Sequence, residues 1–418
     1  MELPHLKTGG QMIKTGFLPL VALLFLLASC GGTAGEASNG EGRSWEEIAA
    51  AAEGTTVNFF MFGGAEDTNA YVDEWVAPRL REEHGIELVR TPVSDTSDAV
   101  NKLLNEKQAG REEGTIDLLW LNGENFYTGS QADLWWGPWA EGLPNARYID
   151  WEDPQINLDF GYPVDGYEAP WSQAQFVMIY DSERVEDPPE SPDELLEWAR
   201  QNPGRFTYPA PPDFFGNAFI LQLFYQVTEQ VEPYQGEFDR EVFEEEAPEL
   251  YEFLNELEPH LWRGGETYPA SGAALDELYQ NCEVDFTVSY NPYFAQRQVE
   301  RGIFPETTRT YLFEGGTLSN TSYVAIPFNA PNKEGAQVVA NFLQSPEAQA
   351  ELQRRNVVGG LTTLDVERLP EELREEFEIK PGPAALSLEE LQANRLPEAR
   401  TEWQLALQDG WASEVQRK

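Results

Sequence analysis

Apolar and polar positions in the first part of the chain predict strands that alternate with helices. The apolar run 55–64 is predicted to be a strand, and the helical spacing that follows ends at Gly85. A second strand over 86–93, a helix capped by Asp95 and a third strand over 116–121 come next. This β-α-β-α-β order predicts a parallel sheet covered by helices on both faces.

The third predicted strand ends abruptly in polar residues. Asn122, Glu124 and Asn125 surround a glycine directly after the apolar run. In open α/β sheets, ligands bind beyond the carboxyl ends of the strands, so these side chains are predicted to face a binding site. Turn formation alone also explains an Asn-Gly pair, and this alternative stays open.

The second half of the chain predicts a second α/β unit. The segment 167–183 has the pattern of a long strand that leaves the first unit, and a Pro-rich linker follows it. Two further apolar strands end in the turns Asp213-Phe214 and Tyr290-Asn291. Several helices are predicted to complete the chain.

The N-terminus has the composition of an export signal. Lys7 and Lys14 precede the apolar run 18–28, which is too short to span a bilayer. The following Leu-Ala-Ser-Cys resembles a bacterial lipobox, which predicts cleavage after residue 29 and lipid attachment at Cys30. A flexible tether over 30–43 follows. The alternative is an ordinary secretory peptide with a chance cysteine.

The net charge of −45 excludes nucleic acid as a partner, because phosphate binding requires a basic surface. Residues 1–29 contain Glu2, Lys7 and Lys14, so their removal changes the charge by −1, to about −46. Such an acidic surface is typical of proteins from salt-rich habitats, where screening makes dense like charge tolerable.

The chain offers few groups for enzymatic chemistry. His84 and His260 are the histidines beyond the signal segment, and His84 is predicted to sit at a helix end. Cys282 borders a predicted strand and is expected to be a buried small hydrophobic side chain rather than a nucleophile. The sequence contains no phosphate-binding glycine loop and no Cys/His zinc motif, so we expect no metal and no cofactor.

Several segments carry a family resemblance. The lipobox, the two α/β units and the segment VAIPFNAPNKEGAQVVANFLQSPEAQAEL together resemble a solute-binding lipoprotein of a bacterial ABC importer. The segments LLWLNGENF, APW, YPAPPDFFGNAF, SYNP and LSNTSYVAIPFNAP are similar to the Ynj-type branch, which is related to thiamine-, iron- and polyamine-binding members. The resemblance covers nearly the whole chain after the signal segment.

The resemblance implies an α/β fold of the two-lobed type II periplasmic-binding-protein class, with several crossovers between the lobes and a ligand cleft between them. Lobe 1 is then expected to comprise 44–178 and 318–358, and lobe 2 to comprise 179–317 and 359–418. The implied function is that of a receptor, not an enzyme. We expect a monomer, lipid-anchored outside the cytoplasm, that delivers a small solute to an ABC permease and its ATPase.

We expect the cleft to hold a cationic or zwitterionic solute of aromatic size, such as a thiamine-like or polyamine-like compound. Carboxylates and aromatic faces together suit an organic cation. The predicted ligand-binding residues are Asn122, Glu124, Asn125, Trp171, Asp213, Phe214, Tyr290, Asn291 and Asn320, with Trp171 at the cleft floor. The opposing interpretation is that Asn122 and Asn320 only cap helices and close turns.

Two functions from other classes stay open from the residues alone. A surface glycoside hydrolase needs two carboxylates about 5 to 10 Å apart, and 73 acidic residues supply such pairs by chance. A carbohydrate-binding lipoprotein is motivated by Trp135, Trp136, Trp139 and Trp151, although clustered tryptophans more often pack in cores.

Overall fold

A computed structural model gives the fold of residues 42–378 and 380–416. The predicted signal peptide (1–29), the predicted lipidation site Cys30 and nearly all of the tether (30–43) lie outside these residues. Within the described ranges, no helix combines the length and the apolar character that crossing a membrane requires.

The strands of the described residues are mostly short. In chain order they are β1 Thr56–Phe62, β2 Glu87–Val93, β3 Leu118–Leu121, β4 Leu158–Asp159, β5 Tyr162–Pro163, β6 Glu168–Gln175, β7 Val177–Asp181, β8 Phe286–Ser289, β9 Thr308–Tyr311, β10 Thr317–Ala325 and β11 Arg395–Pro397.

The helices alternate with these strands and dominate the C-terminal part. They are α1 Trp45–Ala52, α2 Glu66–Ala70, α3 Ala77–His84, α4 Thr96–Gln108, α5 Glu124–Gln131, α6 Pro154–Asn157, α7 Pro192–Gln201, α8 Phe214–Thr228, α9 Arg240–Leu257, α10 Gly272–Gln280, α11 Phe294–Glu300, α12 Lys333–Leu343, α13 Pro346–Arg355, α14 Glu371–Arg374, α15 Leu388–Ala393 and α16 Thr401–Glu414. A π-helical segment, Tyr71–Val76, joins α2 to α3.

The N-terminal helices begin and end where the sequence predicts. Gly85 follows α3 in the left-handed conformation, with φ 66°, which glycine adopts without steric cost. The Asp95 side chain caps α4 by accepting the Ser97 N–H at 2.8 Å. These local signals confirm the predicted β-α-β-α-β order of the first part of the chain.

The larger sheet combines parallel and antiparallel strands. Strands β2, β1 and β3 are parallel neighbours, as predicted, whereas β10 pairs antiparallel with β3 and with β6. Strand β11 runs parallel to β10 at its N-terminal end. The antiparallel members return from a distant part of the chain, so the local alternation of strands and helices does not predict them.

The predicted long strand over 167–183 is two strands in different sheets. Strand β6 belongs to the six-stranded sheet, and β7 pairs with β8 and β9 in a separate three-stranded antiparallel sheet. Phe176 lies between them, and its N–H donates to the Leu318 carbonyl at 2.7 Å. The chain therefore passes from one sheet to the other at this residue.

Each sheet has its own large hydrophobic cluster. One cluster includes Val57, Trp171 and Phe342 beside the six-stranded sheet. The other includes Phe219 and Trp403, which pack near the three-stranded sheet and the C-terminal helices. Burial of this much apolar and aromatic surface supplies the main driving force for folding.

The prediction of a buried Cys282 is wrong. Cys282 is exposed and has φ 63°, because it lies in the turn that follows α10 rather than in a strand. Arg184 donates to its sulfur at 2.7 Å.

Candidate functional site

A pocket of about 260 Å³ opens along one edge of β10. Tyr323 pairs with β3 and with β6, so these two strands lie on opposite edges of β10. Ser319 pairs with β6 and with β11, which places β11 on the same edge as β3. Between the two pairings, residues 320–322 leave that edge open, and the pocket lies there. It is lined by Pro154, Gln155, Leu158, Asp159, Phe160, Gly161, Gln235, Ser319, Asn320, Thr321, Pro397 and Glu398.

One wall of the pocket is the segment that contains α6 and β4. Ser319 donates its hydroxyl to Gln155 Oε1 at 2.7 Å, and Tyr323 donates its hydroxyl to the Ile156 carbonyl at 2.9 Å. A tight turn at Phe160 and Gly161, with φ 44° and 69°, then joins β4 to β5. Asp159 is thereby held at the edge of this turn.

Asp159 is a buried acid with half of its carboxyl unpartnered. The residue is 2% exposed, and its Oδ2 accepts the Gly123 N–H at 2.6 Å, while Oδ1 has no hydrogen-bond partner. Burial raises the pKa of Asp159 to about 8, although the Gly123 N–H opposes the shift. Gly123 has φ 57°, and a Cβ there would lie 2.7 Å from the Phe160 ring, so a larger residue does not fit.

Glu398 forms the opposite wall, directly after β11. Its carboxyl accepts the Tyr290 hydroxyl, the Asn320 amide at 3.3 Å and the Gln404 amide at 3.4 Å. Burial raises the pKa of Glu398 to about 7, and the hydrogen bonds from Tyr290 and Asn320 oppose this shift. The Glu398 carboxylate is therefore better supported by donors than the Asp159 carboxyl.

Most of the accessible lining of the pocket is apolar, and its polar side chains include two acids but no basic group. Beside the two carboxyls it presents the amides of Gln155, Gln235 and Asn320, together with two hydroxyls. Arg400 packs against Gly161 of the lining, but its Nε lies 4.0 Å from Glu402, and Arg395 lies 3.9 Å from Asp153. The electrostatic potential of such a lining favours a positively charged occupant.

Three of the predicted ligand-binding residues lie at or near this pocket. Asn320 lines it, and Tyr290 is buried behind Glu398. Phe214 is 45% exposed, and its ring centroid lies 4.9 Å from that of Tyr290. These side chains come from β10, from the turn after β8 and from α8, and Tyr290 and Asn320 both contact Glu398.

The turn after β3 reaches the pocket through its backbone. Gly123 contacts Asp159, whereas the neighbouring Asn122 and Asn125 are half-buried. Glu124 is the first residue of α5, and its side chain is exposed. The predicted turn therefore lies beside the site, but it contributes the backbone N–H of Gly123 rather than one of the predicted side chains.

The other three predicted residues, Asp213, Asn291 and Trp171, make contacts within the fold. Asp213 caps α8 by accepting the Phe215 and Gly216 N–H groups at 3.0 and 3.2 Å. Asn291 donates to the carbonyls of Asn356 and Val358 at 3.2 and 3.4 Å.

Trp171 lies in the core and not at the floor of the pocket. Its side chain is 0% exposed and packs edge-on against Phe59 and Trp120. Strand β6 is buried on both faces, so a tryptophan there supports the sheet.

Asp159 and Glu398 are absent from the predicted set. Each follows or ends a strand of two or three residues, which is too short for a periodic hydrophobic pattern. The available signal for Asp159 is the Asp-Phe-Gly turn that follows it. Among the described residues, no group of three or more His, Cys, Asp or Glu side chains is placed to hold a metal ion.

Comparison with known families identifies the chain. Residues 74–375 match the family described as bacterial extracellular solute-binding protein. The chain belongs to this family. It is also similar to protein YnjB of Escherichia coli (strain K12), with 38% identity over 337 residues that cover 80% of this chain and 86% of the relative. The predicted resemblance is confirmed.

Solved structures show the fold of this solute-binding protein. The spermidine/putrescine substrate-binding protein PotD of Streptococcus pneumoniae aligns with a TM-score of 0.62 and 17% identity, covering 87% of this chain and all (100%) of that one. The apo ferric ion-binding protein A of Pasteurella haemolytica aligns with a TM-score of 0.58 and 15% identity, over 87% and 99% of the two chains. The predicted two-lobed type II fold is therefore confirmed.

Family membership assigns the general role. The protein is an extracellular solute-binding protein of an ABC transporter, and its relatives of similar fold are binding proteins. This role implies a small-molecule ligand, together with a permease and an ATPase as partners.

Proposed function

We propose that this solute-binding protein captures an organic cation in the pocket between Asp159 and Glu398 and delivers it to an ABC permease. The observation that supports this most directly is the lining of the pocket. Two buried carboxyls face it, and neither a lysine nor an arginine is among the residues that line it.

The energetics of buried charge favour a cationic group over an anion. A carboxylate removed from water is strongly destabilised unless a counter-charge or hydrogen-bond donors compensate it. Asp159 Oδ1 has no such partner among the described residues. An ammonium or amidinium group supplies both the charge and the N–H donors, whereas an anion adds repulsion.

The remaining lining groups fit the rest of such a solute. The amide oxygens of Gln155, Gln235 and Asn320 can accept N–H bonds, and Phe160 adds an aromatic side chain to the lining. A cation over an aromatic face contributes about 0.5 to 2 kcal/mol. PotD, which has a similar fold, is a spermidine/putrescine substrate-binding protein, and a cationic solute here is consistent with that.

A thermal-shift screen tests the proposal. Residues 31–418 are heated in high salt with organic amines, thiamine, sugars, sulfate and ferric citrate. A ligand at one hundred times its dissociation constant adds about 2.7 kcal/mol to stability. We expect organic cations to raise the unfolding temperature; stabilisation by an uncharged sugar or an anion alone contradicts the proposal.

We further propose that Cys30 is lipidated and that the protein works as a monomer outside the cytoplasm. Cys30→Ala is expected to move the protein from the membrane fraction to the soluble fraction without loss of folding. A variant that stays in the membrane pellet contradicts the anchor. Light scattering on residues 31–418 tests the monomer.

The lobe boundaries and the salt-adapted surface are also proposals. The boundaries 44–178 with 318–358, and 179–317 with 359–418, follow from the family resemblance. The charge of −45 is the basis for salt adaptation, because screening of like charges is expected to stabilise the folded chain. An unfolding midpoint that does not rise between dilute buffer and molar salt contradicts the adaptation.

A further inference from the structure

A third buried acid lies near Asp159 and does not line the pocket. Glu168, the first residue of β6, is 0% exposed, and neither of its carboxyl oxygens has a hydrogen-bond partner. The Asp159 charge raises the pKa of Glu168 further, beyond the larger effect of burial. The carboxyls of Asp159 and Glu168 therefore interact electrostatically in the protein interior.

The charged and titratable groups around the pair offer no compensating cation. The Glu398 charge adds to the raised pKa of Asp159, and the charges of Asp159 and Glu168 add to the raised pKa of Tyr323, in each case after the larger effect of burial. Tyr323 uses its hydroxyl as a donor to a backbone carbonyl. The nearby basic groups Arg395 and Arg400, already described, lie closest to Asp153 and Glu402.

Two neighbouring carboxyls in such surroundings do not both ionise. Glu168 has no donor to stabilise a negative charge, so it is the group that keeps its proton. Asp159 has one donor, the Gly123 N–H at 2.6 Å, it lines the pocket, and its buried Oδ1 has no partner among the described residues. Asp159 is therefore the group that can ionise when a positive charge arrives.

We infer that the empty pocket holds a proton on Asp159, and that a captured organic cation displaces this proton into solvent while Glu168 stays neutral. This inference rests on the proposed function. In the binding step the cation forms an ion pair with the new carboxylate, and the proton is taken up by water or buffer. Capture of the solute is thus coupled to proton release.

The coupling gives affinity a defined pH dependence. Because the pKa of Asp159 in the empty protein is about 8, binding below that pH must expel a proton. The affinity for a cation is expected to rise about tenfold per pH unit towards pH 8 and to level off above it. Glu398, with a pKa of about 7, makes the dependence steeper below that value.

The first test needs no solute. A carboxyl with a raised folded-state pKa binds its proton more tightly in the folded than in the unfolded chain, so stability falls as pH rises from about 4 to about 8. Asp159→Asn cannot titrate. The ratio of unfolding constants between wild type and this variant is therefore expected to change about tenfold per pH unit across the window, and to level off above about pH 8.

Two further variants control this measurement, which uses urea unfolding in molar salt. Glu168→Gln is expected to show the same dependence without levelling off near pH 8, because Glu168 keeps its proton to higher pH. Asp133→Asn changes a carboxyl that is 94% exposed and is expected to give a constant ratio. A constant ratio for Asp159→Asn overturns the inference, because Asp159 would then be ionised in the empty pocket.

The second test counts protons during binding. Spermidine and thiamine are the probes, titrated near pH 7.5 by calorimetry in two buffers with different ionisation enthalpies. We expect release of about one proton from wild type and from Glu168→Gln, and a markedly smaller release from Asp159→Asn. A probe that binds wild type without proton release overturns the inference and leaves the proposed function standing.

Discussion

The acids of the pocket and the acid at Asp67 occupy opposite electrostatic environments. Asp67, in α2, accepts two bonds from Arg301 at 2.8 and 2.9 Å and lies 3.3 Å from Arg297. Its pKa is lowered, chiefly by the Arg301 hydrogen bond. Asp159 and Glu398 contact no basic side chain, and burial raises their pKa values to about 8 and about 7.

The difference shows where the few basic residues of this strongly acidic chain are located. The protein has 28 Lys and Arg side chains against 73 acids, and arginines bind partners such as Asp67 on the partly exposed surface. The pocket lining receives none of them. Its acids are therefore available to a solute, whereas Asp67 is already compensated by the protein itself.

The largest expected effect comes from Glu398→Gln. Removal of this charge is expected to weaken binding of an organic cation about 100-fold, or about 2.8 kcal/mol, because a charge-assisted bond is lost. Folding should persist, since the amide oxygen can still accept the Tyr290 hydroxyl. Calorimetric titration with the best cation from the screen measures the change.

The matched control for that measurement is Glu241→Gln, an exposed glutamate at the start of α9. Equal affinities for the two variants would remove the distinction between pocket acids and surface acids.

Tyr290→Phe tests how the donors support Glu398. Loss of the hydroxyl donor is expected to raise the pKa of Glu398, because that bond stabilises the carboxylate. The cation then binds about tenfold more weakly near neutral pH, or about 1.4 kcal/mol, and the deficit shrinks as pH rises above about 8. Affinity measured across this pH range decides the matter; a deficit independent of pH would mean that Tyr290 acts only through packing.

Asp67→Asn tests the compensated acid. Because the Asp67 pair is partly exposed, its loss is expected to lower the free energy of unfolding by less than about 1 kcal/mol. The lowered pKa means that this stability is present above the unfolded pKa of about 3.9 and is lost as pH falls through the folded value. Urea unfolding of wild type and variant, near neutral pH and in acid, gives the free-energy difference at each pH. A loss of several kcal/mol would show that Asp67 does more than form a surface ion pair.

The smallest expected effect is the response of these variants to salt. The Debye length falls to about 3 Å at 1 M, so the stability difference caused by Asp67→Asn should shrink to a few tenths of a kcal/mol. The affinity loss caused by Glu398→Gln should persist, because the buried carboxyl is poorly screened. If both effects vanish together in molar salt, the pocket is as exposed to ions as the surface.

The sequence predicts local structure better than it predicts the site. Gly85 and Asp95 determine helix ends by short-range chemistry, so the first three strands and their helices follow from the pattern. The family resemblance, which rests on several long sequence segments, predicts the two-lobed fold. The split between β6 and β7 at Phe176 depends on contacts with distant strands, which no local pattern encodes.

The predicted binding residues show the same difference between local sequence signals and contacts with distant parts of the chain. Tyr290 is predicted from a turn after a strand and Asn320 as an amide that orients the solute, and both contact Glu398. Trp171 is predicted at the cleft floor because it lies just before the strand that leaves the first lobe, but a strand buried on both faces gives no signal that separates core from cleft. Asp159 and Glu398 belong to segments too short for periodicity, in a chain where acids are common.

The open edge of β10 has a mechanical consequence. On the opposite edge of β10, a bulge at Trp171 of β6 interrupts the pairing between Ser322 and Tyr323. A bulge bends the strand that carries it and increases the local twist. Because residues 320–322 of β10 are also unpaired on the pocket side, this is the point at which β10 is held least by its neighbours. Bending at this point changes the distance between the segment that contains Asp159 and the segment that contains Glu398. We therefore expect the width of the pocket to change together with the curvature of β10.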